Sequence, residues 1–135
     1  MAGGAEARSM RKFDELNLLC KGCGDLICKH KEISVVSHVD ADGLTAAAII
    51  CTALKRRNIE YKPLFFRQLD EVALDEVADQ GADLVIFTDL GSGMIQEISD
   101  RRLDAIVADH HKPQDCSSQP LAHINPHLVG ADGAN

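Results

Sequence analysis

The stretch "VSHVDADGLTAAAII", residues 36–50, closes one apolar run and opens a longer one, and between them it sets His38, Asp40 and Asp42 at every second position. Before the three polar groups, "ISVVS" (33–37) reads as a buried strand. After them, "GLTAAAIICTALKRRN" (43–58) reads as a helix whose basic last turn suits its C-terminal dipole. If the backbone stays extended through residue 42, the side chains at 38, 40 and 42 share one face, because a strand has a period of two. That face would carry one imidazole nitrogen and two carboxylates. Gly43 is then expected to let the chain turn sharply into the helix, with the first N–H groups of that helix facing the site and able to meet an anion.

Outward from this stretch the alternation continues. "EYKPLFF" (60–66) is a strand that Pro63 weakens or places at a sheet edge. "LDEVALDEVADQG" (69–81) is a helix with Leu69, Val72, Ala73 and Val77 on one side and Gly81 as its stop. "ADLVIFTD" (82–89) is a third strand, "GMIQEISDRR" (93–102) a short helix, "DAIVAD" (104–109) a fourth strand and "AHIN" (122–125) a fifth. Strands and helices in this order predict an α/β fold, a parallel sheet with helices on both faces.

In open parallel sheets ligands bind beyond the carboxyl ends of the strands, and the polar constellations of this chain fall there. His38, Asp40 and Asp42 follow the first strand, Thr88 and Asp89 the third, and Asp109, His110 and His111 the fourth. Crowded carboxylates repel one another and take raised pKa values unless cations neutralise them, so a metal is the simplest resolution. Oxygen and imidazole ligands without a thiolate favour Mn²⁺ or Mg²⁺ in octahedral coordination, the imidazoles tilting the choice toward Mn²⁺. Two such ions about 3.5–4 Å apart would activate a water and hold both oxygens of a phosphoryl displacement. Each motif alone has a plainer reading: Asp42-Gly43 as a turn, Asp89 as a loop marker, His110-His111 as a surface pair. Their coincidence at three strand ends favours the site. The "GSG" at 91–93 lacks the third glycine of a dinucleotide loop and reads as turn glycines.

The chain of 135 residues is long enough for one domain with a real core. A net charge of −7 argues against coating nucleic acid by bulk electrostatics, although a local strip at Lys55, Arg56 and Arg57 could meet phosphates. No apolar run of membrane-spanning length and no secretory h-region occurs, which predicts a cytoplasmic protein with no membrane partner. Residues 1–9 read as disordered, with the folded domain over 10–135. The five cysteines are an odd number and do not suggest a disulfide framework. Cys20, Cys23, Cys28 and His30 could be read as a zinc site. Phe13, Leu16, Cys20, Cys23 and Ile27 recur at helical spacing, however, and the cysteines fit an amphipathic helix better.

"SHVDADGLTAAAII", "FTDLGSG" and "VADHHKP" together resemble motifs I, II and III of the DHH phosphoesterase superfamily, and "HINPHLVG" resembles the Asn-Pro segment that follows the Asp-His-His triplet in RecJ-type exonucleases. The resemblance runs from about residue 33 onward and is closest in texture to the archaeal branch. It implies a Rossmann-like DHH domain in which His38 and Asp40 hold one metal, Asp42 and His110 the other, and Asp89 bridges the two. It further implies that Asp109 orients the histidine pair, that His111 faces the scissile phosphate as charge stabiliser or proton donor, and that Asn125 shapes the substrate side. The activity implied is metal-dependent hydrolysis of single-stranded DNA or RNA from the 5′ end, with two Mn²⁺ as cofactors, Mg²⁺ being the alternative.

The family pattern departs from this chain in two respects. A fourth motif, whose aspartate completes the second metal shell, and a glycine-rich C-terminal substrate-binding domain are both absent from the sequence. The sheet is thus expected to be incomplete at its C-terminus and the polypeptide alone to be weakly active or inactive. Two alternatives stay open: a scaffold partnering components of the replicative helicase, as some RecJ relatives are, and a phosphoesterase of small substrates such as oligoribonucleotides, cyclic dinucleotides or pyrophosphate. A phosphoacceptor receiver domain fits less well, because its late-strand lysine is missing and it has no use for a histidine pair.

Overall fold

The computed structural model describes residues 3–131. A long helix α1 (Gly3–Ile27) precedes β1 (Glu32–His38), α2 (Ala41–Arg56), β2 (Glu60–Phe66), α3 (Glu71–Asp79), β3 (Leu84–Thr88), α4 (Ile95–Asp100), β4 (Ala105–Ala108) and β5 (Ala122–Ile124). Short 3-10 turns at Ser92–Met94 and Pro126–Val129 precede α4 and follow β5. The five strands form one parallel sheet in the order β2-β1-β3-β4-β5. Pro63 lies in β2, at a sheet edge, where its missing N–H breaks no interior ladder.

Period-two alternation divides the core between two faces. Ile33, Val35, Leu84, Ile86 and Ile106 face one way and pack with Cys23, Ala47 and Leu54 of α1 and α2. Val36, Val85, Phe87, Ala105 and Val107 face the other way, against Leu69, Ala73, Leu74, Val77, Ile95 and Ile98. Both faces are therefore covered, as a sheet of continuous β-branched runs requires. Leu74 rather than Val72 completes the buried side of α3, for Val72 is 76 % exposed.

Three expectations are corrected here. Residues 3–9, read as disordered, form the first turns of α1; residues 1 and 2 lie outside the described residues. The cysteine stripe is only partly internal, with Cys23 buried and Cys20, Cys28 and Phe13 exposed. Its anchors are Cys23 with Leu26 and Ile27 in the core, and a hydrogen bond from Lys12 Nζ to the Gly130 carbonyl. Finally, α2 begins at Ala41, so the backbone is not extended through residue 42. No described helix is long and apolar enough to cross a membrane.

Candidate metal centre

The chain leaves β1 toward β2 on one side and returns with β3 on the other, so the order of strands reverses at β1 and β3. The crevice at such a switch point, beyond the carboxyl ends, is where open α/β sheets bind ligands. His38 is the last residue of β1, Asp89 follows β3, and Asp109-His110-His111 follow β4. The arrangement centres on Asp89. One carboxylate oxygen is 3.7 Å from His38 Nδ1 and the other 3.2 Å from His110 Nε2. Asp89 holds this place in the left-handed region, at φ 62°, with its N–H donated to the Ala108 carbonyl across the sheet. An aspartate tolerates that conformation at a cost, and such strain gathers at functional sites.

On the β1 side the helix start decides the geometry. Asp40 is the N-cap of α2, its Oδ1 accepting the Gly43 N–H at 2.8 Å. Gly43 is demanded by proximity, not by an unusual φ: a Cβ there would stand 2.4 Å from the His38 carbonyl oxygen. The buried Ser37 Oγ, 2.8 Å from the carbonyl oxygens of both Gly43 and Thr88, locks β1, α2 and β3 together at this level. With the helix begun, Asp42 lies in its first turn, exposed and outside the groups whose ligand atoms converge. The shared strand face expected for His38, Asp40 and Asp42 is therefore not formed.

On the β4 side the control is a buried carboxylate. Asp109 Oδ1 accepts the His110 N–H at 2.8 Å and lies 2.6 Å from His111 Nδ1, while Oδ2 accepts the Ser92 N–H at 3.0 Å. Burial by itself raises the Asp109 pKa. The His111 hydrogen bond, the backbone N–H groups of Ser92 and His111 and the His111 charge outweigh it, and the carboxyl ends below its ordinary 3.8. An ionised carboxylate only accepts, so His111 donates from Nδ1 and keeps Nε2 for the open rim. Asn125 is fully buried, donating to the His111 carbonyl and to Ser92 Oγ while its Oδ1 caps the last 3-10 turn. It supports the site from beneath, holding the His111 carbonyl and Ser92 in place.

Among the described residues two groups can bring ligand atoms within 4.8 Å of one another: His38, Asp40 and Asp89, and Asp89, Asp109, His110 and His111. Asp89 belongs to both. The donor set is oxygen and imidazole only, which fits a hard or borderline divalent cation. Cys20, Cys23, Cys28 and His30 form no such group, and His30 Nδ1 lies 2.9 Å from the Leu26 carbonyl.

The model of the DHH family, N-terminal domain, matches residues 32–134. The chain belongs to the DHH family. A 31 % identity over 132 residues links this DHH chain to an uncharacterised protein of Methanocaldococcus jannaschii, covering 93 % of the chain and 31 % of that protein. The single-stranded-DNA-specific exonuclease RecJ of Escherichia coli is 33 % identical over 106 residues, covering 71 % of the chain and 18 % of RecJ. Among solved structures, RecJ of Thermus thermophilus in complex with Mn²⁺ superposes with a TM-score of 0.65 at 25 % identity, covering 84 % of the chain and 17 % of that RecJ. The chain thus spans about a third or less of these relatives' length.

Two features of this DHH domain escape a reading of motifs. Lys55, Arg56 and Arg57 end α2, about 24 Å of helix from its start at the rim, and so lie at the opposite end of the sheet. Arg67, in contrast, stands at the rim end of the sheet. It follows β2 one residue beyond Phe66, which pairs with His38 and accepts the Val39 N–H. A lone arginine just past a strand end was its only signal.

Proposed function

We propose that this chain forms the metal-binding half of a two-metal phosphodiesterase centre, acting on single-stranded nucleic acid from the 5′ end in the manner of RecJ. The observation that carries the reading is the placement of Asp89, with one oxygen toward His38 and the other toward His110. A carboxylate so placed serves as the shared ligand of two sites. His38 and Asp40 would hold the first cation, and His110 with Asp42 the second, once the exposed Asp42 side chain swings toward the rim. Mn²⁺ fits this donor set better than Mg²⁺ because of its two imidazoles. Bound there, the cations would supply an activated water and neutralise charge on the phosphate.

The chain's own residues do the rest. Asp109 accepts the His111 Nδ1 proton as a hydrogen bond and leaves Nε2 at the rim; with a second proton on Nε2, the imidazolium would stabilise charge on the phosphate and pass that proton to the leaving oxygen. Arg67 and the exposed Lys112 offer cations to neighbouring phosphates along a strand. A helicase-associated scaffold has no need of this convergence of ligands, which favours the enzyme reading.

The test uses bis(p-nitrophenyl) phosphate, which needs a metal centre but no groove for a strand, beside 5′-labelled single-stranded DNA and RNA. Mn²⁺-dependent hydrolysis of the small diester, lost in Asp89→Ala and in chelator, is expected. Mononucleotide release from the polymers would establish the nuclease, and its polarity follows from which end is labelled. Turnover that persists unchanged in Asp89→Ala would reject the centre.

A further inference from the structure

His110 and His111 sit on the loop that follows β4, and the His111 side chain is 53 % exposed. Packing cannot hold a ring that is half in water. What holds it lies beneath, and its hub is a residue to which the three motifs assign no role. Ser92 is fully buried. Its N–H donates to Asp109 Oδ2 at 3.0 Å, its carbonyl accepts the Gln114 N–H at 2.7 Å, and its Oγ lies 2.9 Å from Asn125 Nδ2 and 2.8 Å from His123 Nε2. Asn125 Nδ2 also donates to the His111 carbonyl at 2.8 Å.

We propose that Ser92 is a positioning residue for His111, its backbone and hydroxyl joining Asp109, Asn125 and His123 into one buried support that fixes the ring's place and tautomer at the rim. The proposal rests on the reading of His111 as the group that faces the phosphate.

A serine hydroxyl has one proton and two lone pairs, and the Asn125 amide can only donate from Nδ2, so Ser92 Oγ accepts from Asn125. Its second lone pair could take a proton from His123 Nε2, so the hydrogen-bond inventory alone allows two tautomers of that ring. We assign Ser92 Oγ as the donor to Nε2, with His123 neutral and protonated on Nδ1, because this gives the buried hydroxyl proton an acceptor. Burial favours the neutral ring, pushing His123 below the ordinary 6.5 against a smaller opposing pull from Asp109. No buried polar side-chain atom among the described residues lacks a partner, so the network is closed.

Gly91 sets Ser92 in place. Its φ is 110°, and a Cβ would stand 3.0 Å from Phe87 Cβ and 3.1 Å from Val107 Cγ1. Only glycine lets the backbone after β3 pass this close to the sheet and turn the Ser92 N–H onto Asp109. The two ends of the Asp109–His111 unit are thus tied to Ser92, the carboxylate directly and the carbonyl through Asn125. Ser92, His123 and Asn125 differ in this from Asp109, whose carboxylate holds the ring directly: they act on the ring only through others.

The experiment reads the histidine rings of the metal-free full chain by long-range ¹H–¹⁵N correlation, with Mn²⁺ calorimetry beside it. In the wild type, His111 and His123 should both show the Nδ1-protonated pattern. Ser92→Ala should move the His111 ring-nitrogen shifts toward the average of two exchanging tautomers and lower Mn²⁺ affinity about tenfold. His123→Leu removes the acceptor and should move the same shifts. His123→Gln, whose amide oxygen can take the place of Nε2, should restore them. If Ser92→Ala does not fold, the His123 pair decides. A folded Ser92→Ala or His123→Leu chain with wild-type His111 shifts would overturn the proposal. Failure of the wild type to bind Mn²⁺ would strike the metal reading alone, since the ring shifts are measured without metal.

Discussion

The two flanks of Asp89 are built by different means. On the β1 side, His38 and Asp40 are fixed by backbone: Asp40 caps α2, and Gly43 lets that helix start press on the His38 carbonyl. On the β4 side, the histidine pair is fixed by side chains, through a buried carboxylate that receives three N–H groups at 3.0 Å or less and is itself carried on Ser92 and Asn125. The first flank should thus fail through steric change and the second through loss of charge or hydrogen bonds. Asp42 marks the price of the first design, since a helix that starts at Ala41 leaves it in solvent.

The sharpest way to break the contrast is a single methyl group. Gly43→Ala puts a Cβ 2.4 Å from a backbone oxygen, where no side chain can yield, and should cost roughly 3 kcal/mol of stability by urea denaturation. The same change beside the β4 support, at exposed Gly93, which has open space around it, should cost no more than about 1 kcal/mol.

Next in size is Asp109→Asn, expected to lose about 2 kcal/mol at pH 7 as charge-assisted hydrogen bonds become neutral ones. The sign of its pH dependence follows from the depressed pKa. The stability it contributes is present above the ordinary 3.8 and is lost as pH falls through the lower folded value. Wild type and variant should therefore converge in acid, and a gap that stays constant down to about pH 2 would contradict the account. His123 works in the same direction at higher pH. Its folded pKa lies below 6.5, so the stability it gives is present above that value and is lost as the buried ring takes a proton. His123→Gln should flatten the stability profile below pH 6.5.

The smallest effect is expected at the far end of α2. Replacing Lys55, Arg56 and Arg57 by alanine should leave Mn²⁺ affinity and diester hydrolysis unchanged, because the cluster lies at the opposite end of the sheet. Arg67→Ala should instead weaken binding of single-stranded DNA while leaving Mn²⁺ affinity intact.

The fold was legible because each strand is a short β-branched run between helical periods, and Pro63 even marked the edge. The rim was legible because polar residues stood at three strand ends. The register at Asp42 was not, because a period-two argument holds only while the strand continues. The Asp40–Gly43 spacing is an N-cap signal, and giving it weight would have ended the strand sooner. The burial of Asn125 left a partial signal: an asparagine before proline reads as a cap of the next turn, and its Oδ1 does accept the His127 N–H. Ser92 left no trace beyond a glycine-flanked serine, since its partners lie 17 to 33 residues away. The polarity of α2 alone would have placed the basic cluster at the far end.

The central claim is that three strand ends converge on one divalent-cation centre through Asp89, and Mn²⁺ calorimetry on the wild type and Asp89→Ala tests it most directly. Saturable binding by the wild type, weakened on the order of 100-fold in a variant whose circular dichroism is unchanged, is the predicted result. Equal binding by the two chains, or none by either, would contradict the account.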